Sequence, residues 1–332
     1  MNTDRPGRAT ASLSLDADNL WAYQMTHGDA GWEEFPSYLD ELSAQVLAML
    51  AELGLTITFF VVGQDAALTR NHAALRALAD AGHEIGNHSF RHQPWLHRYS
   101  LTEIHKELGR AEDAIGEISG QRPIGFRGPG YSLSPDVIRA LIDRDYLYDC
   151  STLPTVVGPL ARRYYFRSAK LDASQREERA NLFGSARDGL RGLRPYLFAS
   201  GTDRLLEIPV TTMPMLRVPI HLSYVLYLRG VSESLALRYF ANALRVCRLR
   251  HVEPSILLHP LDFLGADDVD SLRFFPGMTM PGAVKRATVH RCLQELSSQF
   301  EVVALREHAE RILARGGLKT ESPATTALTG AR

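Results

Sequence analysis

A repeated alternation of short apolar strands with amphipathic helices is the feature that most constrains the fold. Ala11–Asp18 alternates as a strand does, Tyr38–Leu53 carries apolar residues at helical spacing, and Thr56–Val62 is β-branched and aromatic. Short connections between such segments are typical of parallel strands covered by helices. The sequence therefore predicts an α/β fold built on a parallel sheet.

The alternation continues along the chain with one interruption. Predicted strands cover residues 83–86, 124–126, 146–151, 205–212, 255–258 and 300–305, and predicted helices cover residues 71–81, 102–118, 135–141, 233–248, 285–297 and 307–313. Residues 153–203 break the pattern, are rich in arginine and aromatic residues, and include a predicted helix at 174–182. We interpret them as an insertion that forms either a substrate-binding lid or a solvated helical hairpin.

The composition excludes several classes of protein. Of 332 residues, 45% are hydrophobic and 23% are charged, which is typical of a globular domain. A formal net charge of -1 gives no electrostatic support for a nucleic-acid partner. The three cysteines are far apart and odd in number, which predicts no disulfide framework and favours a reducing compartment.

The ends of the chain set the expected domain organisation. Met1–Thr10 is polar and lacks the apolar run of a secretory signal, and no apolar run reaches the ~20 residues of a membrane span. We expect a flexible N-terminus at 1–10, one catalytic domain at 11–313 and a disordered tail at 314–332. The expected location is the cytoplasm, with contact at the inner membrane face left open by the apolar Met213–Leu228 stretch, which also fits a groove wall or a core loop.

Polar side chains stand at the carboxyl ends of the predicted strands. They are Asp16 and Asp18, His88 and His92, Arg127, Asp149, and His259. Each alone has an ordinary explanation as a turn cap, a surface charge or a core histidine. Because buried carboxylates and arginines are costly unless they are paired or bound to metal, and strand ends converge in a parallel barrel, the set predicts one polar site.

The spacing of His88 and His92 suggests a metal site. On a helical turn, residues four apart share a face, so the two imidazoles could bind one divalent ion, of which Zn²⁺ is the usual occupant. The chain has 12 histidines, however, so the pair alone also fits two ordinary polar side chains.

Taken together, these residues resemble the polysaccharide deacetylase family, also called carbohydrate esterase family four or the NodB-homology domain. Its five motifs match Ser14–Asp18, His88–His92 in the form HSxxH, Arg127–Pro129, Tyr148–Ser151 and Leu257–Pro260. The resemblance covers about residues 11–310 apart from the insertion. It implies a distorted (β/α) barrel of the NodB type with an inserted segment around 153–203.

The resemblance also implies a metal centre. Asp18, His88 and His92 would bind one divalent ion, most often Zn²⁺, with Co²⁺, Ni²⁺ or Mn²⁺ as alternatives. Asp16 would be the general base, held and oriented by Arg127. Many members have two adjacent aspartates at this motif, whereas one residue separates them here; this form occurs in a branch that includes intracellular members and relatives acting on non-sugar amides.

The remaining implied roles concern the substrate. His259 would be the general acid, oriented by Asp149. The family's usual tyrosine after the Arg-x-Pro motif is replaced by Gly130, whose N–H would help hold the oxyanion, and Tyr131 follows it. Leu257 would contribute to the substrate site. These departures leave the metal site intact but put the acyl-sugar pocket in question.

The expected function is metal-dependent removal of an N-acetyl group from an acetamido sugar, with an intracellular or lipid-linked polysaccharide precursor as substrate. Metal would activate water and polarise the amide, while a base and an acid move the protons. A deformylase of a lipid-linked amino sugar and an allantoinase-like amide hydrolase are alternatives, and a non-catalytic carbohydrate-binding relative is a third. The expected partner is a glycan, with no nucleic acid and no transmembrane segment.

Overall fold

The computed structural model describes residues 8–158, 189 and 191–323. These residues form a mostly parallel, ten-stranded sheet with helices packed on it. The predicted α/β class is confirmed. The helix predicted at 174–182 and most of the predicted insertion lie outside the described residues, as do residues 1–7 and 324–332.

The helices and strands have the following bounds. The strands are β1 Thr10–Asp16, β2 Thr58–Val61, β3 Glu84–Asn87, β4 Gly125–Phe126, β5 Tyr148–Asp149, β6 Tyr196–Ser200, β7 Asp203–Glu207, β8 Ser255–Leu258, β9 Glu301–Val303 and β10 Thr320–Glu321. The helices are α1 Leu20–His27, α2 Leu39–Leu53, α3 Gly63–Ala66, α4 His72–Asp80, α5 Leu101–Ser119, α6 Pro135–Asp143, α7 Leu222–Arg229, α8 Glu233–Leu249, α9 Gly282–Gln299 and α10 Leu305–Arg315. No helix in the described part of the chain has both the length and the apolarity to cross a membrane.

The strand order is β10-β6-β7-β5-β4-β3-β2-β1-β8, and β9 also pairs with β1. Every strand pair is parallel except the β6–β7 hairpin. Among the described strands the pairing does not run from β8 back to β10. The described part of the sheet therefore stays open rather than closing into the expected barrel.

Strand β1, which pairs with β2, β8 and β9, is buried on both faces, and its two faces differ in chemistry. Leu13 and Leu15 join the apolar cluster under the covering helices, which includes Leu42 of α2. Because side chains alternate along a strand, Ser14 and Asp16 point to the opposite, inner face of the sheet. One strand therefore supplies core packing and a polar inner surface.

Helix α10 fills the inner face near the amino ends of the strands. Its Leu305 packs in an apolar cluster with Phe60 and Tyr148. Two side chains at the amino ends of β2 and β3 accept hydrogen bonds from the first turn of α10. Thr58 Oγ1 accepts from the Leu305 N–H at 2.8 Å, and a Glu84 oxygen accepts from the Arg306 N–H at 2.8 Å. A carboxylate is favourable at a helix N-terminus. The carboxyl ends of the strands remain available for a site.

Two boundaries differ from the sequence-based expectation. The predicted disordered tail begins at 314, but α10 runs to Arg315 and β10 pairs with β6 along the sheet edge. Strand β6 itself falls inside the segment predicted as an insertion. Strand β10 contributes backbone hydrogen bonds at the edge of the sheet, and such pairing needs little apolar sequence to form, so the composition did not reveal it.

Gly125 offers a test of inner-face packing. A Cβ at this position would lie 2.1 Å from the hydroxyl oxygen of Tyr148, which is fully buried and donates to Glu84 at 2.8 Å. We expect Gly125→Ala to lower the free energy of unfolding by about 2–3 kcal/mol in urea unfolding followed by circular dichroism. Gly116→Ala is the control, because only Gln121 O lies near, at 3.9 Å, within α5. It should raise stability by up to about 1 kcal/mol. Equal effects would contradict the packing argument.

Candidate active site

His88 and His92 lie on an irregular loop that follows β3. Ser89 and His92 have left-handed backbone angles, with φ of 62° and 51°. Asn87 Oδ1 accepts from the Ser89 N–H at 2.8 Å, and Ser89 Oγ accepts from the His92 N–H at 3.1 Å. The expected helical turn is therefore wrong, because local side-chain hydrogen bonds stabilise a tight turn instead. The two rings still face each other, with centroids 4.9 Å apart.

Asp18, His88 and His92 converge on one point. Asp18 Oδ1 lies 3.2 Å from His88 Nε2 and 2.9 Å from His92 Nε2. One ligand atom from each of the three lies within 4.8 Å of the others, and all three residues are buried. Within the described residues, Asp18 Oδ1 and His92 Nε2 have close neighbours but no partner in hydrogen-bonding geometry. Two imidazoles and a carboxylate of this kind fit a divalent ion such as Zn²⁺.

The ring orientation of His88 is set by a backbone carbonyl. His88 Nδ1 lies 2.6 Å from Arg127 O, and because a carbonyl only accepts, Nδ1 carries the hydrogen. Nε2 then presents its lone pair toward Asp18. This arrangement, in which the second ring nitrogen is fixed by an outer partner, is the usual one for a metal-binding histidine.

The local field favours a positive charge at the cluster. Burial lowers the pKa of His88, but Asp16 and Asp18 outweigh burial, so that pKa is raised above its usual value. Burial likewise acts to raise the pKa of Asp18, while His92 and His88 hold it well below its usual value. A field that stabilises a proton on an imidazole also stabilises a cation between the same groups.

Asp16 is held against the cluster by a buried arginine. Arg127 is fully buried, and its Nη1 donates to Asp16 Oδ1 at 2.6 Å and to Ser14 Oγ at 3.0 Å. Burial lowers the pKa of Arg127, but Asp16 outweighs it and raises that pKa. The other carboxylate oxygen, Asp16 Oδ2, lies 3.9 Å from His88 Nε2. The structure thus brings Asp16 and Arg127 together beside the cluster with one oxygen of Asp16 facing it.

His259 follows directly after β8, at the carboxyl end of the strand beside β1. Leu258 pairs with Leu15, so His259 comes one position further, in line with Asp16. The ring Nδ1 of His259 lies 3.3 Å from Ser223 Oγ. His259 is half-buried, and the structure brings it to the same edge of the sheet as the Asp16–Asp18 pair.

Asp149 does not orient His259, which corrects the expectation. Its neighbours Tyr148 and Cys150 belong to the inner-face cluster, so Asp149 points to the opposite face of the sheet. There Ser151 Oγ donates to Asp149 Oδ1 at 2.5 Å, and Glu207 is its register partner on β7. The alternation of side chains along β5 determines which face Asp149 occupies, and the motif alone does not specify that alternation.

Asp149 and Glu207 form a buried carboxyl pair. Burial raises the pKa of Asp149, and burial together with Asp149 raises the pKa of Glu207 well above its usual value. Thr152 donates to Glu207 Oε1 from its hydroxyl and from its N–H. Asp149 Oδ2 and Glu207 Oε2 are buried and have no other hydrogen-bond partner among the described residues. One shared proton satisfies both oxygens.

The remaining expected site residues, Gly130, Tyr131 and Leu257, differ in how far they lie from the polar groups of the site. Gly130 and Tyr131 lie in a tight turn with φ of 57° and 63°. Burial and the charge of Asp16 raise the pKa of Tyr131, so this phenol borders the site. Leu257 pairs with Ser14 and is fully buried, which puts it beneath the polar groups rather than at their surface.

Several residues near the site were missed from sequence. They are His221 and Ser223 at the start of α7, and Asp262 three residues after His259. The His221 ring lies 5.7 Å from the His259 ring. The prolines in the preceding stretch obscured α7. The signal for Asp262 was its position in His259-Pro260-Leu261-Asp262, which is the spacing of an N-terminal cap.

This chain shares sequence with polysaccharide deacetylases over part of its length. A model of the polysaccharide deacetylase family matches residues 28–148. The peptidoglycan-N-acetylmuramic acid deacetylase PdaC of Bacillus subtilis is 35% identical over 101 residues, covering 30% of this chain and 21% of that protein. The matched segments span about a third or less of the first curated relatives.

Solved structures extend the likeness over most of the chain. A polysaccharide deacetylase structure from Mycobacterium smegmatis superposes with a TM-score of 0.63 at 20% identity, covering 96% of this chain and 94% of that one. One from Pseudomonas aeruginosa gives a TM-score of 0.58 at 18% identity, covering 94% and 92%. At these identities the superpositions establish the fold.

Fold and site together define an α/β protein of the NodB type with a polar cluster at the carboxyl ends of its parallel strands. The chain is similar to the polysaccharide deacetylase family over residues 28–148, and it shares its fold with solved structures described as polysaccharide deacetylases.

The carboxyl pair should make stability depend on pH. Because burial raises both pKa values, the folded state retains a proton that the unfolded chain releases above about pH 4.5. The pair's contribution is greatest below that pH and is lost as pH rises toward the folded-state pKa, by up to about 1.4 kcal/mol per pH unit. In Glu207→Gln, the amide can donate permanently to Asp149.

The free energy of unfolding of the wild type should therefore fall between pH 5 and 8 relative to that of Glu207→Gln. Urea unfolding at several pH values measures the difference. The exposed Glu310→Gln serves as the control and should track the wild type. A constant offset between Glu207→Gln and wild type would contradict the shared proton.

Proposed function

We propose that the protein is a metal-dependent hydrolase that removes an N-acetyl group from an acetamido sugar. The observation that carries the proposal is the position of Asp16 beside the three-residue cluster. Asp16 Oδ2 and Asp18 Oδ1 approach the same His88 nitrogen at 3.9 and 3.2 Å. A candidate base and a candidate metal centre are therefore adjacent, as amide hydrolysis requires.

Asp18, His88 and His92 would hold the ion. A divalent metal there would supply Lewis-acid activation of the water and of the amide carbonyl. Zn²⁺ suits two imidazoles and a carboxylate, and Co²⁺, Ni²⁺ and Mn²⁺ are accepted by similar ligands. The hydrogen bond from His88 to Arg127 O fixes the ligand nitrogen in advance.

Asp16 is suited to take the proton from water. Arg127 occupies Asp16 Oδ1 at 2.6 Å and leaves Oδ2 facing the cluster. Arg127 acts mainly by fixing the direction of Oδ2. The gain comes from position, because the proton acceptor lies within reach of the reacting water.

His259 is suited to protonate the leaving amine. Its Nδ1 faces Ser223, so Nε2 is the nitrogen left to carry a proton into the site. An amine is expelled only when it is protonated, and an imidazole can supply that proton near neutral pH. Gly130 would donate its N–H to the developing oxyanion, and Tyr131 would border the acyl group.

The names of the relatives support a carbohydrate substrate. PdaC is described as acting on N-acetylmuramic acid in peptidoglycan. We extend the proposal to an intracellular or lipid-linked precursor handled at the inner membrane face. Met215 and Leu216 are 72% and 63% exposed near the Thr212–Pro219 bridge, which supports contact with a lipid. Equal turnover of free and lipid-linked acyl sugars would contradict the lipid-linked substrate.

Product analysis separates the alternatives. Metal-loaded protein is incubated with acyl-sugar and lipid-linked pools and examined by mass spectrometry. Acetate and a free amine support the deacetylase. Formate would indicate a deformylase, and ring opening would indicate an allantoinase-like enzyme. Stoichiometric metal with no turnover on any amide would indicate a carbohydrate-binding relative and would contradict the proposal.

Metal binding can be tested without activity. We expect Zn²⁺ to bind the wild type at one ion per chain and to raise its Tm, because the ion binds the folded state. His92→Ala should lose the bound ion in elemental analysis and should lose the Zn²⁺-dependent rise in Tm. His290→Ala is the control, since His290 pairs with Glu52 at 3.1 Å on the surface. If His92→Ala retained one tightly bound ion, the assigned cluster would be incorrect.

Asp16→Asn tests the base. The amide can still accept from Arg127 but cannot take a proton, so kcat should fall by about 10²–10⁴-fold while metal content is retained. Metal content and circular dichroism show whether the variant folds. Full activity in this variant would exclude Asp16 as the base.

A further inference from the structure

Two further residues, Ser223 and Asp262, form a hydrogen-bonded network with His259. Ser223 Oγ lies 3.3 Å from His259 Nδ1 and 2.7 Å from Asp262 Oδ1. The other oxygen, Asp262 Oδ2, accepts from the backbone N–H of His259 at 2.8 Å. The three side chains form a chain from a buried carboxylate, through a hydroxyl, to the imidazole.

We propose that Ser223 and Asp262 are positioning residues for His259, and that together they keep its hydrogen on Nδ1 and its Nε2 directed into the site. This inference rests on the proposed function, in which His259 is the general acid. It replaces the role first expected for Asp149, which lies on the other face of the sheet.

The direction of each hydrogen bond follows from the chemistry of the groups. An ionised carboxylate only accepts, so the single hydroxyl hydrogen of Ser223 points to Asp262 Oδ1. Ser223 Oγ can then only accept from His259, which requires a hydrogen on Nδ1. The neutral ring therefore presents a lone pair at Nε2, and the protonated ring presents its acidic N–H there. The carboxylate stabilises the positive ring through the hydroxyl.

Several neighbouring groups stabilise the carboxylate of Asp262 against the effect of burial. Burial leaves the pKa of Asp262 raised above its usual value, while His259, the His259 N–H, Ser223 and Lys285 all act to lower it. Lys285 is almost fully buried, and its Nζ donates to Leu261 O and Leu264 O at 2.8 Å each. It holds the turn that carries Asp262 and supplies a compensating charge.

Other titratable groups also face this region and must be considered in any pH profile. The His221 ring lies against His259, and Tyr224 packs on His221 at 4.7 Å. Burial, His259 and Arg127 lower the pKa of His221 well below its usual value, so His221 stays neutral near pH 7. Tyr23 of α1 also faces this region. Burial raises its pKa well above the usual value, and the charges of Asp18, Asp262 and Asp16 act in the same direction.

Asp262→Asn distinguishes positioning from a structural cap. The side-chain oxygen of asparagine must accept from the His259 N–H, so its NH₂ group faces Ser223. Ser223 then accepts from the amide and donates to Nδ1, which moves the hydrogen of the neutral ring to Nε2. The cap is kept, and the tautomer is reversed. Asp270→Asn is the matched control, because Asp270 is exposed and pairs only with Arg273 in the described contacts.

The first experiment reads the tautomer by ¹⁵N NMR of the histidine rings in the full-length protein, and it needs no turnover. We expect the Nδ1–H form for His259 in the wild type and in Asp270→Asn, and the Nε2–H form in Asp262→Asn. Ser223→Thr should retain the wild-type form, while Ser223→Ala should give a mixture. An unchanged tautomer in Asp262→Asn would overturn the proposal whatever the activity.

The second experiment uses turnover. We expect kcat to fall about 100-fold in Asp262→Asn and about 10-fold in Ser223→Ala, with KM nearly unchanged and recovery in Ser223→Thr. The alkaline limb of the kcat/KM profile should move to lower pH in Asp262→Asn, because loss of the carboxylate favours the neutral ring. An inactive wild type with the expected NMR result would contradict the proposed function and leave the positioning intact. An active wild type with an unshifted profile would contradict the positioning.

Discussion

The buried guanidinium of Arg127 is the interaction on which the site depends. A fully buried cation is tolerated only when its charge and its N–H groups are compensated inside the protein. Asp16 supplies the charge, Ser14 and the carbonyl of Cys150 supply further acceptors, and the guanidinium also stacks 4.4 Å from the Phe60 ring centroid. The Arg127 carbonyl in turn fixes His88. One residue thus couples the direction of the candidate base to the tautomer of a candidate ligand.

The alternation of side chains along parallel strands separates this network from a second one. Asp16 and Arg127 project to the inner face, where α10 closes the amino ends of the strands and leaves the carboxyl ends polar. Asp149 and Glu207 project to the other face and satisfy each other there. The arginine network stabilises charged groups in place, whereas the carboxyl pair is stable because it holds a proton. Buried acidic groups on the two faces of one sheet are therefore stabilised in different ways.

Much of this arrangement could be predicted because the polar residues stand at the ends of apolar strands. Asp16, Asp18 and Arg127 were identified this way, since parallel strand ends meet at one edge whatever the details of the loops. The loop at His88 was misread as helical because spacing alone cannot distinguish a turn held by Ser89 and Asn87. The partner of Asp149 was misread because a single motif does not fix which face of the sheet its residue occupies. Strand β10 was missed because an edge strand of two residues leaves almost no sequence pattern.

The carboxylate partner of His259, the candidate general acid, is Asp262, which lies in the turn directly after it rather than on another strand. Pro260 begins a short 3-10 turn directly after β8, and this brings Asp262 back to the His259 N–H. Lys285 of α9 then binds two carbonyls of the following segment, and α7 contributes Ser223. The orientation of the imidazole is therefore determined by β8, α7 and α9. None of these elements includes β5, so Asp149 takes no part in the described hydrogen bonds that direct His259.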